Sequence, residues 1–232
     1  MKKYIAALGL FCCFIVPNQA TAQVDEDQLG SWYIYIWSAN FNESQWGVQG
    51  DVQYRNWDII GDLEQLLLRG AVTYRPKQTN VKLALGYAHI TTGAFGDDSS
   101  TSAESRIYQE ANLPQKVGNR LSLNHRFRYE QRFVDGQDFR TRFRYGLFAT
   151  FPLSGQTVEA KSWYINVYNE LFINGERNIG DGRRVSTFDR NRLYGALGYA
   201  LKKNFKIQVG LMRQTTNSVD KTQLQFGVFH NF

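Results

Sequence analysis

Leu121–Phe151 reads LSLNHRFRYEQRFVDGQDFRTRFRYGLFATF, and its alternation decides the fold class. In the first half, Leu121, Leu123, His125, Phe127, Tyr129, Gln131 and Phe133 occupy one set of alternate positions. Ser122, Asn124, Arg126, Arg128, Glu130 and Arg132 occupy the other. The second half sets Phe139, Thr141, Phe143, Tyr145, Leu147, Ala149 and Phe151 against Arg140, Arg142 and Arg144. Side chains of a strand point alternately to opposite faces, so each half predicts a strand with one aromatic wall and one charged wall. Val134-Asp135-Gly136-Gln137 is turn chemistry and makes the pair a hairpin. Pairing Val134 with Asp138 sets Arg132 opposite Arg140, Glu130 opposite Arg142 and Arg128 opposite Arg144. A barrel in a membrane, apolar outside and charged inside, suits such strands better than a soluble sandwich with arginine rows in water. The hairpin alone does not exclude the sandwich; the rest of the chain favours the barrel.

The alternation continues on both sides. Trp46–Arg55 sets Trp46, Val48, Val52 and Tyr54 against Gln49, Asp51, Gln53 and Arg55; Glu64–Tyr74 sets Leu66, Leu68, Val72 and Tyr74 against Gln65, Arg69 and Thr73. Val81–Thr91 carries large apolar residues on one face and Ala84, Gly86 and Ala88 on the other. Glu104–Leu113, Ser162–Ile173, Phe188–Leu201, Phe205–Gln214 and Thr222–Phe232 follow the same rule, while Gly30–Phe41 is a strand candidate apolar on both faces. Pro114–Asn119 is expected to be a short turn, and Thr92–Ala103 and Asn174–Thr187 long polar loops. Strands of about ten residues joined by alternating short and long links describe an antiparallel up-and-down barrel. Eleven segments conflict with the even strand number of single-chain bacterial barrels. The expectation is therefore 10–12 strands: ten if Gly30–Phe41 is not a wall strand, or twelve, the preferred count, if one segment is split.

Residues 1–22 have a basic start, a short apolar run from Tyr4 to Val16 and a small-x-small ending, the marks of a signal peptide cleaved after Ala22. The run falls short of the ~20 residues a spanning helix needs. The barrel is then assigned to residues 23–232, with Gln23–Leu29 an acidic lead-in. Cys12 and Cys13 both lie in the signal segment, so the exported chain lacks disulfides and thiol chemistry. Losing Lys2 and Lys3 takes the formal net charge from +6 to +4, too mild an excess to argue for nucleic acid. An aromatic content of 15% in a chain with a mean hydropathy of −0.43 suits strands that face lipid on one side and water on the other. Trp46, Tyr74, Trp163 and Tyr199, near strand ends, fit interfacial girdles.

Several stretches together resemble an uncharacterised bacterial outer-membrane β-barrel family, domain of unknown function twenty-four ninety. They are Gly30-Ser31-Trp32-Tyr33, Gln53-Tyr54-Arg55-Asn56, Asp62-Leu63-Glu64-Gln65-Leu66-Leu67-Leu68-Arg69, Gly86-Tyr87, Glu104-Ser105-Arg106-Ile107, His125-Arg126-Phe127-Arg128-Tyr129-Glu130-Gln131-Arg132, Asn169-Glu170-Leu171-Phe172 and Arg190-Asn191-Arg192. The resemblance implies an all-β transmembrane barrel in the outer membrane of a Gram-negative cell, and lends no mechanism. Phe232 ends the chain on an aromatic face, as outer-membrane barrels present their terminus to the barrel assembly machinery.

The inward face is predicted to carry Arg55, Arg69, Arg106, Arg126, Arg128, Arg132, Arg140, Arg142, Arg144, Arg190 and Arg192. Asp51, Glu104, Glu110, Glu130 and Glu170 face them. A lumen so charged is a narrow porin-like channel favouring small anions, or a barrel plugged by salt bridges. The other class to weigh is a lipid-modifying enzyme of the lipid A deacylase or phospholipase type, which pairs histidine with a serine two residues on. His89, His125 and His230 are followed by Ile-Thr, Arg-Phe and Asn-Phe, so the expectation is no catalytic residue, no cofactor and no metal site. His125 falls on the lipid-facing set, where the pattern offers no account of it. Asp97-Asp98-Ser99-Ser100 has oxygen ligands for calcium but reads more simply as a solvated loop tip. Arg183-Arg184 could meet lipopolysaccharide phosphates, though plain exposed charge is the simpler reading. The expected surroundings are outer-membrane lipids and lipopolysaccharide.

Overall fold

A computed structural model describes residues 28–232, so the expected signal peptide and nearly all of the acidic lead-in lie outside the described residues. The described residues form eleven strands and no helix: β1 (Gly30–Asn40), β2 (Trp46–Asn56), β3 (Leu63–Tyr74), β4 (Lys82–Gly93), β5 (Thr101–Val117), β6 (Leu121–Val134), β7 (Arg140–Pro152), β8 (Ser162–Asn174), β9 (Phe188–Lys202), β10 (Phe205–Thr215) and β11 (Asp220–Asn231). Each pairs antiparallel with its sequence neighbour, and β1 closes the sheet against β11. This is the expected all-β up-and-down barrel, with a strand count that corrects the preference for twelve. Gly30–Asn40 is a full wall strand, and none of the alternating segments is split.

An odd count has a geometric consequence. Directions alternate round a meander, so the first and last of eleven strands point the same way, and β1 pairs parallel with β11 from Gly30↔Gln223 to Ser38↔Asn231. Parallel pairing is slightly less stable per residue than antiparallel pairing. Side chains reinforce the seam. On the outer face Tyr33 stacks on Phe226, with ring centroids 5.4 Å apart, and the Tyr35 hydroxyl lies 3.3 Å from His230 Nδ1. Ser38 Oγ donates to Asn231 Oδ1 at 2.7 Å, and the Phe232 backbone N–H reaches Ser38 O at 2.8 Å.

The links 57–62, 94–100, 135–139, 175–187 and 216–219 share one end of the barrel, the loop end. The opposite, turn end carries 41–45, 75–81, 118–120, 153–161 and 203–204. Only 175–187 is long. Pro114 does not end a strand: β5 runs on to Val117, and the expected loop at Thr92–Ala103 shrinks to 94–100. The loop end is tied together by Asp62 Oδ2, which accepts from Gly96 N at 2.9 Å, and by an edge contact of Trp57 on Phe95.

Alternation sorts the side chains as expected. Outward positions such as Leu68, Val72, Leu85, Ile107, Phe127, Phe143, Leu193, Val209 and Leu211 are exposed. Inward polar positions, including Asp51, Gln53, Glu110 and Gln225, are buried. Aromatic rings fold over inward glycines: a Cβ at Gly86 would lie 2.3 Å from the Tyr108 ring, and one at Gly198 2.3 Å from the Tyr164 ring. Those glycines give the lumen room for large side chains.

Candidate functional site in the barrel lumen

β5, β6 and β7 bring most of the predicted arginines together. Their ladder sets Arg106 opposite Arg132 and Arg132 opposite Arg140, a row of three like charges. The next rows set Glu130 opposite Arg142, and Arg128 between Glu110 and Arg144. Like charges side by side destabilise a ladder unless something neutralises them. Glu104, one row nearer the loop end, does so for two of the three. Its carboxylate accepts from Arg106 Nε and Nη2 at 2.6 and 2.7 Å and from Arg132 Nε and Nη2 at 2.5 and 2.9 Å.

Glu130, only 1% exposed, is the hub of the block. It accepts from Arg142 Nε and Nη2 and from Arg144 Nη1, while Arg128 and Arg106 approach at 3.8 and 4.0 Å. Glu110 holds Arg128 through Nε at 2.7 Å, and Glu170 holds Arg126 and Arg144 at 2.7 Å each. Asp51 takes two bonds from Arg69, at 2.8 and 2.9 Å. A buried guanidinium is tolerated when paired and hydrogen-bonded in this way.

Two lumen acids escaped the pattern, for a common reason. β3 places Glu64 as an extra residue between Leu63 and Gln65, whose partners Asn56 and Arg55 are consecutive. β9 likewise places Asp189 as an extra residue between Phe188 and Arg190, opposite the consecutive Ile173 and Phe172. A bulge sets two residues against one and breaks the period of two. Asp189 thereby reaches Arg142 at 2.8 Å and Arg190 at 3.0 Å. Glu64 accepts from Trp32 Nε1 and Gln223 Nε2, both at 3.1 Å.

The opposite sector of the lumen is aromatic. Trp32 of β1, Tyr194 of β9 and Met212 of β10 form a buried cluster, with Ile34 and Tyr168 packed against it. Tyr168 stacks on Tyr194 at 4.7 Å, and Phe148 lies 5.0 Å from Tyr168. The apolar inward face of β1, puzzling in the sequence, is explained by this sector. Guanidiniums line its border: Arg55 sits 3.8 Å and Arg192 4.7 Å from the Trp32 ring centroid, and Arg144 4.3 Å from that of Phe172.

Between the sectors lies a cavity of about 540 Å³. Its walls include Thr92 and Val134 at the loop end and Thr150, Lys206 and Asn231 at the turn end. Arg55, Arg69, Arg106, Arg126, Arg132, Arg140, Arg142, Arg144, Glu170, Arg190 and Arg192 all line it, whereas Arg128, Glu130 and Glu110 are buried in the ion-pair block behind.

The outer face accounts for the histidines. His125 Nδ1 lies 2.9 Å from the Tyr145 hydroxyl and Nε2 3.1 Å from Gln115 Oε1, so both ring nitrogens have partners. The register sets His89 opposite Ser105, but the hydroxyl bonded to Ser105 Oγ is that of Tyr87, at 2.8 Å. In the 94–100 loop Asp98 accepts from Ser100 N at 2.8 Å, a bond that holds its carboxyl below the usual range. No group of three or more His, Cys, Asp or Glu able to hold a metal occurs among the described residues. Arg183 donates to Gly136 O and to Asp181 Oδ2, tying two links of the loop end together.

No curated protein matches the chain, and no solved structure does. A family model does match residues 29–225, from the residue before β1 to the middle of β11, so the wall of the barrel is the matched unit. The chain belongs to the family described as Protein of unknown function (DUF2490).

Proposed function

We propose that this protein is an outer-membrane β-barrel of a Gram-negative cell, exported by a signal peptide, whose lumen is a narrow passage for small anions. The observation that carries the reading is the lumen cavity, whose walls reach from the loop end to the turn end and whose charged lining is mostly arginine. Ten arginines and Lys206 against Glu104 and Glu170 leave that wall with an excess of positive charge, and a low-dielectric wall with such an excess focuses its field into the opening and raises the local concentration of counter-ions. The membrane part rests on the outward surface. Its apolar band is bounded at the turn end by the pairs Trp46–Tyr74 and Trp163–Tyr199, 4.7 and 4.8 Å apart, and at the loop end by Phe133–Phe139. Aromatic girdles flanking an apolar band are how barrels seat in a bilayer. Phe232, 68% exposed beside His230, is available to the barrel assembly machinery. Outer-membrane lipids and lipopolysaccharide are the remaining partners of such a barrel.

No catalytic role is assigned. Planar-bilayer recording tests the passage: small unitary conductance is expected, with a reversal potential favouring chloride over potassium. Arg140 lines the cavity and forms no ion pair among the described residues, so Arg140→Gln should lower that preference without unfolding the barrel. Cation preference would overturn the selectivity, and no conductance at all would leave a plugged scaffold.

A further inference from the structure

The lumen acids are spent unevenly. Glu104, Glu110, Glu130, Glu170, Asp51 and Asp189 each contact at least one guanidinium. Arg55 and Arg192, 4% and 7% exposed, contact no carboxylate among the described residues. Arg55 donates only to amide oxygens, from Nε and Nη2 to Gln53 and from Nη1 to Gln65. Arg192 donates from Nε to Gln214 Oε1 at 2.8 Å, its Nη groups have no hydrogen-bond partner among the described residues, and its ladder neighbour Glu170 is already bonded to Arg126 and Arg144. Glu64, in the same sector, is taken up by the Trp32 indole and the Gln223 amide. Both guanidiniums line the cavity and lie against Trp32, whose cluster continues into Ile34, Tyr168 and Tyr194.

A buried cation with neutral partners is costly unless an anion joins it. The planar donor fork of arginine matches a carboxylate or a related oxyanion. Beside that fork lies apolar and aromatic wall, and 540 Å³ falls within the range of small-ligand pockets. We propose that the lumen holds a small organic anion, its acid group at Arg55 and Arg192 and its apolar body against Ile34, Tyr168 and Tyr194. This deepens the anion reading of the lumen by naming the class of solute.

Calorimetric titration of the purified barrel in detergent, corrected against empty micelles, tests it with three probes: 4-phenylbutyrate, 4-phenylbutylamine and inorganic phosphate. Phenylbutyrate should bind at one site, with the amine and phosphate each weaker by about tenfold or more, the scale of one lost charge-assisted or apolar contact. Arg192→Gln should weaken phenylbutyrate by about tenfold. Arg213→Gln, on the outer face and paired with Asp220, should leave it unchanged. Equal binding of acid and amine, phosphate binding as tight as phenylbutyrate, no heat above the micelle blank, or an unaltered Arg192→Gln affinity would each overturn the site. The acid–amine comparison on the unaltered protein decides the matter even if Arg192→Gln does not fold. Binding without conductance would refute the passage and keep the site; anion conductance without binding would do the reverse.

Discussion

Glu130 Oε2 accepts from both Nε and Nη2 of Arg142, at 2.9 and 2.7 Å, directly across the β6–β7 ladder. The pair is 1% and 3% exposed, so neither charge has water to fall back on. Removing one partner of a buried pair strands the other, at a cost of about 3–5 kcal/mol, whereas replacing both is often far milder. Glu130→Gln alone should therefore destabilise the barrel more than Glu130→Gln with Arg142→Met. Asp189 remains as a second carboxylate for Arg142 in the single variant, and in the double variant Arg144 still keeps Glu170 and Asp189 still keeps Arg190. Urea unfolding of the two variants and the two singles gives the comparison; a double variant no more stable than Glu130→Gln would refute the coupling.

The bulge acids separate ion pairing from simple hydrogen bonding. Asp189 serves two guanidiniums, Arg142 and Arg190, while Glu64 serves an indole N–H and an amide. An amide replacement keeps an oxygen acceptor but removes the charge. Asp189→Asn is expected to cost about 2–4 kcal/mol, and Glu64→Gln about 1 kcal/mol. The same unfolding measurement reads both, and the reverse order would mean that the Glu64 charge matters at longer range than its contacts indicate.

These bulges also mark where the sequence stops being legible. The β6–β7 register followed from Val134 and the Gly136 turn, because a two-residue period leaves no freedom once the turn is placed. Bulges insert one residue without a compositional signal, so the alternation does not assign Glu64 or Asp189 to the lumen. β1 was obscured for a different reason. Its inward Trp32 and Ile34 pack with Tyr168 and Tyr194 of other strands, and a strand apolar on both faces has no alternation to read. The even-number rule then set aside a count of segments that matches the strands one for one. Arg55 and Arg192 were recognisable as lumen arginines, but their lack of carboxylate partners depends on distances between non-adjacent strands.

The histidines of the outer face lead to a prediction of no lipid hydrolysis. His125 has both ring nitrogens occupied, by Tyr145 and Gln115, so neither is bonded to a serine hydroxyl. Refolded protein incubated with phospholipid and lipopolysaccharide should release no fatty acid. Release abolished by His89→Ala, His125→Ala or His230→Ala would establish an enzyme instead. A His125→Phe variant should keep the fold, since the site already packs aromatic Tyr145, with ring centroids 6.2 Å away, and Phe127 lies 5.0 Å from that same tyrosine.

The parallel seam gives the most direct test of eleven strands. Tyr35 and Val228 are Cα partners across β1 and β11, and their neighbours on the outer face, Tyr33 and Phe226, stack. Adjacent strands lie about 4.8 Å apart, inside the roughly 4.4–6.8 Å that a disulfide spans between Cα atoms. Residues 23–232 contain no cysteine, so in a chain beginning at Gln23, Tyr35→Cys with Val228→Cys should cross-link on oxidation of the folded barrel. Tyr33→Cys with Val228→Cys should not, because a two-residue offset along the strand adds about 6.6 Å and carries the pair out of range. In a ten-strand barrel β1 would leave the wall, and in a twelve-strand barrel another strand would stand between the two cysteines. Either arrangement forbids the first cross-link, so its absence in a correctly folded barrel would overturn the closure. A band shift on a non-reducing gel, reversed by dithiothreitol, is the expected signature, and it should require folding because the two residues are far apart in sequence.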